Sequence, residues 1–114
     1  MPSLAALTIY FFGLTALHHG VSNLIWPKQA LAARKLPEAA LPALNAFSIT
    51  AIGIGIYYCL GAYQENRAFF ALTLARFVST AIFWAQGPAW QGIARFEGIS
   101  AVVTGLALLY EGSV

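Results

Sequence analysis

Two charged side chains lie well inside long apolar runs. Arg76 sits within Ala68 to Gln86, and Glu97 within Gln91 to Tyr110. Placing either in lipid costs at least ~2.5–3.5 kcal/mol, so such residues mark sites or paired structure. Arg76 is the deeper and requires a partner. Glu97 is the carboxylate available inside a span, so the two are expected to pair. A carboxyl whose charge is set by burial and by a nearby guanidinium suits general acid/base work. A second group comes from His18 and His19, whose side chains project about 100° apart on a helix. Only one can face a site squarely. His19 is favoured, because Thr15, His19 and Asn23 recur at i, i+4 on one face. The chemistry these residues suggest is proton transfer. Glu97 acts as acid or base, with His19 (or His18) as its counterpart. Arg76, Asn45 and Gln86 orient a substrate or stabilise developing oxyanion charge. Asn23, Phe83 and Trp84 are expected to complete the binding surface.

Each assignment has a plainer competitor. Arg76 and Glu97 could serve only as an interhelical ion pair that sets register. Asn45, Ser48 and Gln86 suit hydrogen bonds between helices. Tyr57, Tyr58 and Tyr63 suit an interfacial belt, and Arg95 can snorkel. No second i, i+4 histidine or cysteine completes a metal site. Phosphate loop, nucleophile elbow, zinc-protease and CxxC motifs are all missing, so neither a metal nor a cofactor is expected.

The elements that carry these residues follow from composition. The chain has 114 residues, 60% apolar and 9% charged, with mean hydropathy +0.72. Soluble domains carry about 25% charged residues, and small domains bury the lowest fraction of their surface. A water-soluble globule is therefore excluded, as is disorder. At roughly 20 residues per span, four helices fill most of the chain, leaving one transmembrane domain over 1–114. Spans are expected at about 4–26, 43–63, 68–86 and 91–110. Met1 to Leu7 lacks a signal peptide's basic start and cleavage site, so the first span is read as retained. Pro27 ends it, and Gln29 to Arg34 could form a short helix on the membrane surface. Gly53 and Gly55, with Ala51, offer a small-residue face for close helix contact. Short loops make consecutive helices antiparallel neighbours. The fold expected is an all-α four-helix transmembrane bundle, up-down-up-down.

Lys28, Arg34 and Lys35 in the first loop and Arg95 near the third outweigh Arg67 in the second. Loops one and three should therefore face the cytoplasm. Most polar residues of the spans lie in that half of the membrane, whereas the other half is apolar apart from Thr8, Tyr10, Thr73 and Thr104. A polar cavity open to the loop-one side is the expected result. The net charge of +2 is too weak and unclustered for nucleic acid.

Gly20 to Pro27 resembles the G-x6-P exit of span one in small four-helix membrane proteins of unknown function, loosely DoxX-like. Ala75-Arg76-Phe77-Val78-Ser79, then Gly87-Pro88, then Phe96-Glu97-Gly98 is similar to the same group's Arg-x-x-Ser, Gly-Pro and Glu pattern. That resemblance implies a four-helix membrane fold and a shared role for Arg76 and Glu97, without naming a reaction.

Taken together, the residues point to a small intramembrane enzyme. It would isomerise, cyclise or open an epoxide on a terpenoid, polyketide or sterol-like molecule drawn from the lipid bilayer. The alternative is a non-catalytic accessory subunit or assembly factor whose polar residues dock a partner helix. A carrier is weaker, since it would require an oligomer. A homo-oligomer with its site between subunits is compatible with so short a chain.

Overall fold

The computed structural model describes residues 2–112; of the expected tail, Ser113 and Val114 lie outside the described residues. The elements are α1 (Leu4–Ile25), α2 (Pro27–Ala33), a 3-10 turn (Glu38–Ala40), α3 (Leu41–Tyr63), α4 (Arg67–Leu72), a second 3-10 turn (Thr73–Ala75), α5 (Arg76–Ala85) and α6 (Pro88–Glu111). Four stretches are long and apolar enough to cross a membrane: Leu4–Ile25, Glu38–Tyr63, Arg67–Ala85 and Pro88–Glu111. The protein is a multi-pass, all-helical membrane protein.

Prolines moved two boundaries from their expected places. Pro42 and Pro88 sit in the first turns of α3 and α6, where the missing amide hydrogen is not needed. Both helices therefore begin earlier than expected. Pro27 likewise opens α2, and the chain bends at Trp26. Span three is continuous in length but not in winding, because the 3-10 turn interrupts it just before Arg76.

Carboxylates tie one end of the molecule together and fix the topology. The amides of Leu4 and Ala5, at the open N-terminus of α1, donate to Glu111 at 2.7 and 3.3 Å. Arg67, at the start of α4, meets the same carboxylate at 3.0 Å. The Ser3 amide donates to Glu65, just beyond α3, at 3.0 Å. The starts of α1 and α4 and the ends of α3 and α6 thus share one end, giving the up-down-up-down path. Negative charge here also complements the unsatisfied amides of α1.

The helices form a bent row, not a closed square. α1 packs along α3 on one side and α6 on the other, and α5 packs along α6. Among the described residues, α3 makes no close backbone approach to α5 or α6. The backbones of spans two and three, expected to be packed neighbours, therefore approach each other only where α4 touches α3. The overall dimensions of 46 × 26 × 16 Å match such a flattened row. At the carboxylate-tied end the row is sealed by a core of Ala5, Ala6, Ile9, Ala62, Phe70 and Leu108. At the other end it stays open.

Glycines allow the α1–α3 approach. A Cβ on Gly20 would lie 2.6 Å from the Ser48 carbonyl oxygen, and one on Gly55 would lie 2.6 Å from that of Gly13. Gly55 thus lies on the close-contact face as expected, whereas a Cβ on Gly53 would meet nothing within 4 Å. Ala51 is buried and lines the cavity. The sequence reading missed Gly13 and Gly20, which supply the opposing surface.

Both α2 and α3 end in the same six-residue hydrogen-bonded motif. At α2, Leu36 N–H reaches Leu31 O at 2.9 Å and Lys35 N–H reaches Ala32 O at 3.1 Å. At α3, Asn66 N–H reaches Gly61 O and Glu65 N–H reaches Ala62 O, both at 3.1 Å. The left-handed position, usually glycine, holds Lys35 (φ 55) in one and Glu65 (φ 50) in the other. Each side chain costs about 1 kcal/mol relative to glycine. α2 does not lie free on a surface, because Ala30 and Leu31 are buried against Leu44.

Gly20→Leu is expected to separate α1 from α3 and to destabilise the protein by about 3 kcal/mol, read as a lowered thermal midpoint in detergent. The Ser3 amide holds the exposed Glu65 carboxyl below its ordinary range. A lowered folded-state pKa gives stability that is present above the unfolded value, about 4.3, and lost as pH falls further. The midpoint difference between wild type and Glu65→Gln should therefore be constant from neutral pH to about 5 and shrink below about 4.

Candidate functional site

Arg76 is 3% exposed and is satisfied without a carboxylate. Its Nε donates to Thr73 O at 2.9 Å. Its Nη1 donates to Ser100 Oγ at 3.1 Å. Its Nη2 donates to Thr73 Oγ1 at 3.1 Å and Thr104 Oγ1 at 2.9 Å. Thr104 in turn shares a 2.7 Å hydrogen bond with Thr8 of α1. The guanidinium carbon lies 4.7 Å from the Phe12 ring centroid and 5.7 Å from that of Tyr58, so the apolar faces around the cation are aromatic. The expected Arg76–Glu97 ion pair does not form. Ser100, one turn along α6 from Glu97, takes the guanidinium instead. Thr8, Thr73 and Thr104, which look isolated in the sequence, are the polar frame of this arginine. Tyr58 belongs to the same cluster and not to an interfacial belt.

Below the Arg76 cluster, on the side of α2 and the α5–α6 turn, the gap in the row of helices is a cavity of about 1130 Å³. Its walls come from the C-terminal half of α1, the N-terminal halves of α3 and α6, the end of α5, and α2. The cavity opens on the loop-one side, but it is not the polar cavity expected from the sequence. Phe12, Ile54, Phe83, Ile93 and Phe96 give it an apolar interior, because these large side chains share the inward helix faces with the few polar ones. Phe96 stacks on Phe12 at 5.2 Å between centroids. Phe47, Phe83 and Trp90 meet across the gap at 5.6–6.1 Å, bridging α3 to α5 and α6 where their backbones stay apart.

His19, Asn23, Phe83 and Glu97 line this cavity. Asn23 is 5% exposed, and neither its Nδ2 nor Glu97 Oε2 has a hydrogen-bond partner. Buried polar atoms of native proteins almost always have partners. A donor and an acceptor left over at one cavity mark where a ligand's polar groups can be held. Ser22 and Ser79 add hydroxyls to the wall.

The remaining expected site residues lie elsewhere. Arg76 sits behind Phe12 and does not line the cavity. His18 is exposed, with its ring edge-on to His19 at 5.7 Å. Asn45 is half-buried on α3 away from the cavity, and Gln86 is exposed where α5 ends. Trp84 lines a second, apolar groove of about 680 Å³ between α5 and α6, where Arg95 lies 5.4 Å from its ring. Arg34 and Lys35 also line the cavity, which the sequence does not reveal, because there they read only as part of a surface helix and as charges that set orientation. Among the described residues, no three His, Cys, Asp or Glu side chains cluster as a metal site.

Comparisons with family models, curated proteins and solved structures found no match for this chain. The likeness to the DoxX-like group therefore rests on its short motifs alone.

Thr104→Val removes an acceptor from Arg76 and the cross-helix partner of Thr8 at nearly constant volume. Hydrogen bonds to charged groups contribute about 1.5–3 kcal/mol, so a loss near 2 kcal/mol is expected in detergent unfolding. Thr50→Val is the control. Thr50 is exposed and bonds only within its own helix, and its substitution should change stability by less than about 0.5 kcal/mol.

Proposed function

We propose that the protein is a small intramembrane enzyme that binds a lipophilic molecule in the cavity and moves protons on it without a cofactor. The observation that carries this reading is the pairing of an apolar cavity with two unpartnered polar groups, Asn23 Nδ2 and Glu97 Oε2, on its wall. Ligand pockets typically span about 300–1,000 Å³ and combine apolar walls with a few placed polar groups. The volume here suits a terpenoid, polyketide or sterol-like molecule.

In this reading Glu97 is the acid or base. It gives a proton to, or takes one from, a carbon or oxygen of the bound molecule, and His19 on the facing helix handles the compensating proton. Asn23 donates to a substrate oxygen, and Phe83 with Phe12 and Phe96 packs the hydrocarbon frame. Arg76 acts at one remove, by fixing Phe12 and the α6 turn that carries Ser100. Isomerisation, and cyclisation or epoxide opening in which the attacking group or the departing proton belongs to the bound molecule, need only these proton transfers. The cavity mouth lies on the side of loops one and three, which this reading takes as the cytoplasmic face from the excess of basic residues there.

The test is turnover of terpenoid, polyketide and sterol-like compounds by purified protein, followed by mass spectrometry. Glu97→Gln should lower turnover about 100-fold or more while leaving the thermal midpoint and compound binding in place. If wild-type protein binds none of the compounds, and Glu97→Gln instead abolishes co-purification with a membrane partner, the accessory-subunit reading replaces the enzyme.

A further inference from the structure

The charges around the cavity are lopsided. Arg34 and Lys35, from the end of α2, and Arg95, from α6, all line it, against Glu97 as the one carboxylate there. Lys28, in the same loop segment, does not line it, so the cations at the mouth are a subset and not a general dusting of the surface. The mouth also carries Trp26 and Gln29, and the aromatic and aliphatic lining lies deeper. An apolar interior capped by cations is the electrostatic complement of an amphiphile with a negative head.

The backbone gives a second reason to single out Lys35. Its φ of 55° occupies the left-handed position that glycine fills most easily in this helix-ending motif. The equivalent position after α3 holds Glu65, whose carboxylate has a defined task in accepting from the Ser3 amide. Lys35 has no hydrogen-bonded protein partner for its ammonium among the described residues, and it lies on the cavity. Arg34 uses one N–H on Ala30 O at 3.1 Å, which holds the guanidinium back along α2 and leaves its other donors to the mouth.

From these observations we infer that the ligand is an amphiphile with an anionic head, a carboxylate or a phosphate, gripped by Arg34 and Lys35 while its hydrocarbon enters the cavity. Arg95, which leans on Trp84, adds positive charge from the opposite wall. This inference deepens the proposed function and rests on the same cavity. It adds that the reacting molecule is recognised by a charged end and oriented head-outward, which places its hydrocarbon beside Glu97 and Asn23.

Binding of oleate, oleyl phosphate and dioleoyl phosphatidate is measured in neutral detergent, with oleyl alcohol and inorganic phosphate as comparisons. Oleate or oleyl phosphate is expected to bind wild-type protein at least about 5-fold more tightly than oleyl alcohol, and inorganic phosphate not at all. Lys35→Gly should raise the thermal midpoint by relieving the backbone, yet weaken the anionic probes about 5-fold. Arg34→Gln with Lys35→Gly should weaken them roughly 25-fold and leave oleyl alcohol unchanged. A preference for phosphatidate over the single-chain anions would identify a bilayer lipid as the source of the head, and the reverse would identify a free fatty anion; either supports the inference. Equal binding of oleyl alcohol and oleate, unaffected by the variants, overturns the anionic head while keeping the cavity as a lipophilic site. Binding of inorganic phosphate alone, or of no probe at all, overturns both.

Discussion

A guanidinium in the middle of an apolar bundle has to find every hydrogen-bond acceptor inside the protein, since lipid offers none. Arg76 meets that demand with hydroxyls from its own span and from α6, and with the faces of two aromatic rings. Much of the architecture follows. α6 must bring Ser100 and Thr104 to the break in span three, and α1 must bring Thr8 and Phe12 to the same level. A neutral hydroxyl cage also leaves Glu97 uncommitted. Had the carboxylate been spent on an ion pair, the cavity would have lost its unpartnered carboxylate oxygen and the helices would have gained little, because buried pairs often only balance their desolvation.

The same cluster decides where the molecule is closed and where it is open. Above Arg76 the small residues of α1 and the end of α3 close on Phe70, and the carboxylates of Glu65 and Glu111 bind the chain ends together. Below it α3 diverges from α5 and α6, and only aromatic rings cross the gap. Rings give contact without backbone approach, so space remains between the walls. Amides and carboxylates hold one end, while side-chain stacking spans the other.

The four spans were legible because each is a long run of apolar residues, and a span's existence depends on that sum and not on detail. The cavity's side was legible too, since polar residues crowd into one half of the membrane in the sequence itself. What stayed hidden depends on how helices are turned against one another. Thr15, His19 and Asn23 share a face by helix geometry alone, and two of these reach the cavity. Asn45 and Gln86 lie at the right depth but not toward the cavity. Thr8, Thr73 and Thr104 stand on three separate spans, and nothing within any one span says that they converge. Gly53 and Gly55 are indistinguishable by spacing, and only the position of α1 separates them. Pro27 reads as a stop because proline breaks helices, yet the same residue makes a good first-turn position, which Pro27, Pro42 and Pro88 all occupy.

The tight turn at Thr73–Ala75 also has a geometric effect along span three. A 3-10 stretch advances about 120° per residue, where an α-helix advances about 100°. Over the three residues of the turn the accumulated excess is roughly 60°, a sixth of a revolution. The lower part of the span is thereby out of phase with the upper part. Phe70 lies in the sealed core while Ser79 and Phe83 line the void. On a regular helix Phe70 and Ser79 would project about 180° apart, and the added rotation reduces this to about 120°. The irregular segment thus turns toward each other the two surfaces that one transmembrane crossing serves.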